Sequence, residues 1–185
     1  MFSPDRKQVL AVNGEIYNHQ EIRRRFAGQY EFQTGSDCEV ILALYRSLTP
    51  APSPEGKGSN VTHKQIQQML EQLSGIFAFV LYDEERNEFL IGRAPIGVIP
   101  LYIGYDSDGT IYVASELKAL EGQCECYEPF PPGHYLFSEG CRVERGEFAD
   151  RLLMEVLGRR GFVEVEVTAE YLVGTLAREY HLDAH

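Results

Sequence analysis

The stretch AVNGEIYNHQEI, Ala11–Ile22, places the dipeptide Asn13-Gly14 between an apolar, strand-like run and a polar, helix-like run. The residues alone leave two interpretations open. Asn-Gly is the commonest pair in tight hairpin turns, so the first interpretation is a turn directly after the strand. In the second, the side-chain amide of Asn13 and the unobstructed backbone N–H of Gly14 are adjacent donors able to hold an oxyanion. On the local pattern alone, the turn is favoured.

The residues on either side of this dipeptide predict a strand and a helix. Lys7–Val12 is apolar enough for a buried strand, which is expected to end at the dipeptide. Asn18 is followed three residues later by Glu21, the spacing of a capping box, so a helix is expected to begin there. This helix is expected to run to about Phe26, with Gly28 as the glycine that ends it.

The next segment predicts a short strand, a turn and a second helix. Glu31–Gln33 is expected to form the strand and Gly35 the turn. Ser36 and Glu39 again have capping-box spacing and mark the start of the helix. The apolar residues of this helix fall on one face, as expected for a helix packed on a core: Val40, Ile41, Leu44 and Leu48.

The chain from residue 49 to residue 140 predicts a loop, a helix and several short strands. Thr49–Asn60 is rich in Pro, Gly and Ser, which is typical of an exposed, flexible loop. A helix is expected at about Lys64–Leu73. Antiparallel strands, half buried on one face, are expected at residues 76–83, 88–93, 101–105 and 110–115 and after PFPPG. The fold class predicted from these elements is α+β with an antiparallel sheet.

The last part of the chain has a different pattern. GEFADRLLMEVLG predicts an amphipathic helix, GFVEVEVT an alternating strand and AEYLVGTLAREYH another helix. None of these segments carries a chemical motif. We therefore expect one domain at residues 1–140 and a helix-strand-helix tail of unknown role at residues 141–185.

The composition excludes several classes of protein. A net charge of -11 over 185 residues leaves no basic stripe for phosphates, so no nucleic-acid partner is expected. No stretch approaches the ~20 apolar residues that span a bilayer, and the first residues lack the apolar core of a signal peptide. We therefore expect no membrane partner and a cytoplasmic location. Arg23–Arg25, the densest basic run, is expected to be a solvated helix face. The Cys and His spacings do not predict a metal site.

The order of several motifs resembles the glutamine-hydrolysing domain of class II amidotransferases, specifically that of glutamine-dependent asparagine synthetases. The matching motifs lie between Lys7 and Phe137 and are LAVNGEIYNH, FQTGSDCEVILALY, SGIFAFVLYD, GRAPIGVIPLY, VASELKAL and FPPGHYLF. The resemblance implies the four-layer αββα sandwich of N-terminal-nucleophile hydrolases, with antiparallel sheets. Residues 1–140 are expected to form only part of that sandwich, a partial class II glutamine amidotransferase domain.

The resemblance also implies a site. In that family a cysteine exposed at the start of the mature chain attacks the side-chain amide of glutamine, which gives an oxyanion, then a thioester and ammonia. Asn13 and Gly14 match the two oxyanion donors, so the oxyanion interpretation now leads over the turn. Asp37 and Glu15 match the residues that bind the α-ammonium of L-glutamine. Asp37 could also favour a helix N-terminus electrostatically, and Cys38 is expected to be a buried packing thiol.

The sequence departs from the family pattern in two respects. The family usually has Asp where this chain has Ala94, so Arg93 is expected to lack its usual neighbour, and either the hydrogen bonding or the electrostatic setting of the loop is expected to be weaker. No cysteine precedes Cys38, so the nucleophile is absent, and the family's carboxylate-binding arginine has no counterpart. We therefore expect a fragment, or a truncated gene, of a glutamine-hydrolysing asparagine synthetase that is inactive by itself.

This expectation extends to partners, cofactors and stability. The partners implied are L-glutamine, the synthetase domain of the parent enzyme and a second copy in a homodimer. No cofactor is expected in this chain, since ATP and Mg²⁺ belong to the synthetase domain. Loss of the first strands exposes sheet edges and predicts a poorly stable or aggregating chain unless residues 141–185 fill the space. The alternative function is a non-catalytic, glutamine-binding or regulatory remnant.

Overall fold

The computed structural model describes residues 1–48, 61–107, 109–139, 142–147 and 163–164. Within these residues the helices are α1 (His19–Arg25), α2 (Val40–Leu48) and α3 (His63–Leu70), with 3₁₀ helices at Asp37–Glu39 and Leu117–Ala119. The strands are β1 (Gln8–Ile16), β2 (Gly75–Asp83), β3 (Glu88–Arg93), β4 (Tyr102–Tyr105), β5 (Ile111–Ala114), β6 (Cys126–Pro129), β7 (His134–Glu139), β8 (Arg142–Glu147) and β9 (Val163–Glu164).

The strands form two sheets. The larger sheet has the order β1-β2-β3-β7-β8-β9 and the smaller one the order β5-β4-β6. Every pairing in both sheets is antiparallel. The α+β class with antiparallel sheets is therefore confirmed, and β1 lies at one edge of the larger sheet.

The buried side chains separate the layers. One face of the larger sheet packs against the helices, through residues such as Leu10, Phe79 and Ile66. The other face packs against the smaller sheet, through residues such as Val80 and Ile103. A small cluster with Tyr112, Ala114 and Leu120 covers the outer face of the smaller sheet. Within the described residues, a helical layer and two sheets are present. The second helical layer is represented there by the 3₁₀ helix 117–119.

Several predicted elements have different bounds or partners. Strand β1 does not end at the Asn-Gly dipeptide but continues to Ile16, so the hairpin-turn interpretation is wrong. Helix α1 begins after Asn18, but the Asn18 side chain does not cap it. Its amide instead bonds the Gln72 carbonyl (2.8 Å) and the Ser74 N–H (3.0 Å), which ties α1 to the segment before β2. The amide serves a tertiary contact, and local spacing cannot reveal that use.

Other predictions were wrong or fall outside the described residues. Glu31–Gln33 is not a strand, and β6 and β8 were not predicted. The first residues of the predicted helix GEFADRLLMEVLG lie in β8, and β9 lies inside the predicted strand GFVEVEVT. The rest of that tail and the predicted loop 49–60 lie outside the described residues, and the domain boundary at 140 stays a prediction.

Candidate functional site

Gly14 occupies a place in β1 that no other residue type fits. It is paired with Phe77 of β2 and has a φ of 129°, in the region that favours glycine. A Cβ atom here would overlap the carbonyl oxygen of Ile76 and stand 2.7 Å from Cα of Phe77. Both obstacles are backbone atoms of the neighbouring strand, so they cannot move aside. The close approach of β1 to β2 therefore explains the glycine.

The backbone hydrogen bonds along β1 indicate that the Gly14 N–H points away from β2. Along β1 the N–H of Leu10 donates to the Met1 carbonyl (2.8 Å), and the N–H of Ile16 donates to Asp37 Oδ2 (2.6 Å). Neither acceptor belongs to β2. Because successive residues of a strand alternate the direction of their backbone groups, Gly14 shares the direction of Leu10 and Ile16. Its N–H thus lies on the edge of β1 that faces Asp37.

Asn13 faces the gap between the two sheets. Its side chain is exposed and lines a small, open hollow, together with residues of β2 and β5. The residues around it include Ala11, Ala78 and Ala114, whose small side chains leave the space free. Within the described residues the Asn13 amide has no hydrogen-bond partner. It is therefore available to a ligand that enters this hollow.

Asp37 is held against β1 by its carboxylate. The N-terminus of the 3₁₀ helix is capped by Ser36, whose Oγ accepts from the Cys38 N–H at 3.3 Å. The Asp37 carboxylate reaches across to the Ile16 N–H instead, and it is half buried. Among the described residues, no basic side chain forms an ion pair with it. This carboxylate is thus directed at the strand that carries the two donors, rather than at its own helix terminus.

Cys38 packs beside the same strand as a protonated thiol. Its Sγ donates to the Gly14 carbonyl at 3.5 Å, and the side chain is buried. Burial and, after it, the negative charge of Asp37 raise the pKa of the Cys38 thiol to about 12. The Glu15 carboxylate acts on it in the same direction. Both acids therefore lie close to Cys38, and this thiol is a packing residue rather than a nucleophile.

Of the four residues singled out in the sequence, Asn13, Gly14 and Glu15 are consecutive in β1, and Asp37 is bonded to Ile16 of the same strand. The sequence did not predict two further residues beside them. Arg23 was expected on a solvated face but is half buried and lies 3.5 Å from the Glu39 carboxylate. Glu39 does not complete a capping box with Ser36, because its oxygens accept from Gln33 and Thr34. In the sequence Glu39 stands directly before the apolar run Val40–Leu44, and no local signal indicates this role.

Arg93 is bonded by backbone carbonyls of the loop after β3 and of Phe130. The Arg93 guanidinium donates to the carbonyls of Ile99 (2.8 Å), Phe130 (2.5 Å) and Gly97 (3.0 Å). Burial lowers the pKa of Arg93. Ala94 is buried in the core beneath the helices, and its N–H donates to the Phe77 carbonyl at 2.8 Å. The effect of Ala94 in place of the family's aspartate stays a prediction.

Two other findings concern ligands and membranes. Among the described residues, no group of three or more His, Cys, Asp or Glu side chains is arranged to hold a metal ion. No helix in the described part of the chain has the length and apolar character needed to cross a membrane.

Comparison with known proteins assigns the class of this site. The family model for the glutamine amidotransferase domain matches residues 1–122. Two solved structures share the fold. The glutamine phosphoribosylpyrophosphate amidotransferase of B. subtilis is 27% identical, with a TM-score of 0.61 over 80% of this chain and 31% of that one. An allosteric regulatory enzyme of purine biosynthesis is 28% identical, with a TM-score of 0.60 over 77% of this chain and 28% of that one. The chain belongs to the glutamine amidotransferase domain family, with the class II, N-terminal-nucleophile fold.

The curated relatives narrow this class to one kind of enzyme. Asparagine synthetase B [glutamine-hydrolyzing] of Escherichia coli (strain K12) is 48% identical over 139 residues. A probable asparagine synthetase of Dictyostelium discoideum is 44% identical over 141 residues, and asparagine synthetase 1 of Arabidopsis thaliana is 43% identical over 139 residues. Each match covers 75% of this chain and 21–22% of the relative. The chain thus spans about a fifth of the length of these relatives, and its similarity is to their glutamine amidotransferase domain.

Proposed function

We propose that this chain is the part of a glutamine-dependent asparagine synthetase that binds L-glutamine and stabilises the oxyanion when the side-chain amide is hydrolysed. One observation carries the proposal. The Asp37 carboxylate bonds the Ile16 N–H, two residues along β1 from the Gly14 N–H and on the same edge. An acceptor for an ammonium group and a donor for an oxyanion are therefore built into one strand edge.

The spacing of these groups suits glutamine. Two residues along a strand correspond to about 7 Å. The α-nitrogen and the δ-carbon of an extended glutamine are about 5 Å apart, from standard bond lengths. The remaining ~2 Å along the strand can be taken up by the tilt of the hydrogen bonds, about 3 Å long, at each end. A glutamine whose ammonium group meets Asp37 can therefore present its side-chain carbonyl to Gly14 and Asn13.

Each residue then has a role that follows from its chemistry. Asp37 and the nearby Glu15 supply negative charge to the α-ammonium, and a charge-assisted hydrogen bond is about twice as strong as a neutral one. The Asn13 amide and the Gly14 N–H donate to the oxygen that becomes negative in the tetrahedral intermediate. Each preorganised donor of this kind typically lowers the barrier by ~3 kcal/mol. The strand holds both donors in place before substrate binds.

The nucleophile is assigned to a cysteine outside these 185 residues. No cysteine stands before Cys38 in the sequence, and the Cys38 thiol is protonated and bonded to the Gly14 carbonyl. The 185-residue chain is therefore inactive by itself. In the whole enzyme, the ammonia would pass to a synthetase domain that uses ATP and Mg²⁺ in the cytoplasm, with a homodimer as the expected assembly.

Incubation of the purified chain with glutamine tests this proposal. We expect no ammonia above background and, by calorimetry, glutamine binding no tighter than millimolar, about 4 kcal/mol. Ammonia release by the wild-type chain that is lost when Cys38 is replaced by Ala would contradict the assignment of the nucleophile. Micromolar binding without hydrolysis would favour the alternative, a regulatory glutamine-binding remnant. That alternative keeps the same four binding residues.

A further inference from the structure

A fully buried acid lies next to the candidate site. Glu39 is 0% exposed, although carboxylates are seldom buried without partners. Its oxygens accept from the N–H of Gln33 (2.6 Å), from the N–H of Thr34 (2.8 Å) and from Oγ1 of Thr34 (2.7 Å). These donors belong to the loop that leads into the 3₁₀ helix 37–39. Glu39 therefore satisfies the N–H groups of this loop.

Arg23 satisfies the carbonyl groups of the same loop. From α1, its Nη2 donates to the carbonyls of Thr34 (3.0 Å) and Ser36 (2.7 Å) and lies 3.5 Å from Glu39 Oε2. Its guanidinium also lies over the ring of Phe32, 4.2 Å from the ring centre. Glu39 thus accepts hydrogen bonds from N–H groups of this short loop, and Arg23 donates hydrogen bonds to carbonyl groups of the same loop. This use of both charges explains why Glu39 is buried and Arg23 is half buried.

The loop that Glu39 and Arg23 bind ends at Asp37. Ser36, whose carbonyl Arg23 binds, is the residue directly before Asp37, and its Oγ caps the 3₁₀ helix. On the other side of Asp37, Glu39 lies in the same 3₁₀ helix. Asp37 is therefore fixed on both sides by the Arg23–Glu39 pair. The pair is neutral overall, so it leaves the negative charge of Asp37 for another partner.

We propose that Arg23 and Glu39 are positioning residues that hold the Asp37 carboxylate where it meets the α-ammonium of glutamine. This inference rests on the proposed role of Asp37. It differs from a general contribution to stability, because a positioning role acts on the ammonium group and not on the rest of the ligand. Glutaramate, which is glutamine without its α-ammonium group, separates the two effects.

The experiment compares glutamine and glutaramate binding to the full chain by NMR titration at constant ionic strength. The variants are Glu39→Gln and Arg23→Lys, with Arg24→Gln as the matched control. Arg24 lies on the same helix but is exposed, and among the described residues its side chain bonds only the Gln20 carbonyl. We expect the preference for glutamine to fall about tenfold in the first two variants, toward that of Asp37→Asn, and to stay unchanged in the control. An equal loss for both ligands, or an unchanged preference in a folded variant, would overturn the inference.

Amide hydrogen exchange at Ile16 provides a readout without ligand. If the pair positions Asp37, the Ile16 N–H should exchange at least several-fold faster in Glu39→Gln or Arg23→Lys, while amides in the centre of β2 keep their rates. Unchanged exchange at Ile16 in either folded variant would overturn the inference even if glutamine binds. Absence of any preference for glutamine in the wild-type chain, with faster exchange at Ile16, would contradict only the proposed function. If Glu39→Gln does not fold, the same measurements are made on Arg23→Lys, which keeps the charge.

Discussion

The Asp37 carboxylate accepts a hydrogen bond of 2.6 Å from the backbone N–H of Ile16. This contact joins a 3₁₀ helix to the edge of a sheet, two residues from a glycine that β2 approaches too closely for any side chain. The same carboxylate therefore has a structural partner and, in the proposed function, a substrate. The two uses make different predictions for different substitutions.

Replacement of Asp37 separates these two uses. Asp37→Asn keeps an oxygen acceptor for Ile16, so stability should change little, while the preference for glutamine over glutaramate should be lost with the charge. Asp37→Ala also removes the acceptor and should lower the free energy of unfolding by about 1.5 kcal/mol. Urea denaturation and ligand titration measure the two effects. Retention of the glutamine preference in Asp37→Asn would rule out the ammonium role.

Substitution of Gly14 should be far more harmful than substitution of Gly28, which also has a positive φ. Gly14→Ala places Cβ against the backbone of Ile76 and Phe77, so we expect a loss of about 3 kcal/mol or more in stability. Gly28 has a φ of 76° but nothing within 4 Å of its Cβ position, and Gly28→Ala should cost only about 1 kcal/mol. Urea denaturation of both variants gives the comparison. Similar losses in the two would show that the approach of β2 is less close than the structure indicates.

The thiols should differ widely in reactivity. Burial and Asp37 raise the pKa of Cys38 to about 12, so its thiolate is scarce near neutral pH, whereas Cys126 is exposed. We expect iodoacetamide to label Cys126 in the folded chain and Cys38 only after unfolding in urea. Peptide mass spectrometry measures both. Rapid labelling of Cys38 under native conditions would contradict its assignment as a packing residue.

Asp83 should make stability depend on pH. Burial raises its pKa above the ordinary value of 3.8, so the folded chain holds this proton more tightly than the unfolded chain. The contribution of this proton to the free energy of unfolding is complete below the ordinary pKa of Asp, and it is lost as pH rises through the folded-state pKa. Asp83→Asn cannot ionise, so its stability relative to wild type should improve between about pH 4 and pH 6. Urea denaturation at both pH values provides the measurement, and a pH-independent difference would contradict the shift.

Strands with regular apolar patterns could be predicted from the sequence. β2 and β3 alternate between the helix layer and the second sheet, and both faces are buried, so their apolar runs are long and unambiguous. β6 was not predicted, because most of its residues are exposed and it ends at Pro129. Its position follows from pairing with β4, a contact between distant residues that a local pattern does not contain.

The candidate site shows a second limit of local patterns. Asn13-Gly14 has the composition of a turn, yet the glycine is present because β2 lies against it. Likewise Glu39 has capping-box spacing but binds Gln33 and Thr34. Resemblance to a family identified the four site residues where spacing alone favoured a turn. The Arg23–Glu39 pair could not be predicted, because it joins two helices through the backbone of the loop between them.

Amide NMR spectra of the full chain during titration with L-glutamine show whether Asn13 and Gly14 meet the substrate. We expect the Gly14 backbone signal and the Asn13 side-chain signals to shift together, with a dissociation constant in the millimolar range. We also expect Asp37→Asn to reduce those shifts. Unchanged Asn13 and Gly14 signals up to about 50 mM glutamine, well above that range, would contradict the proposed oxyanion site.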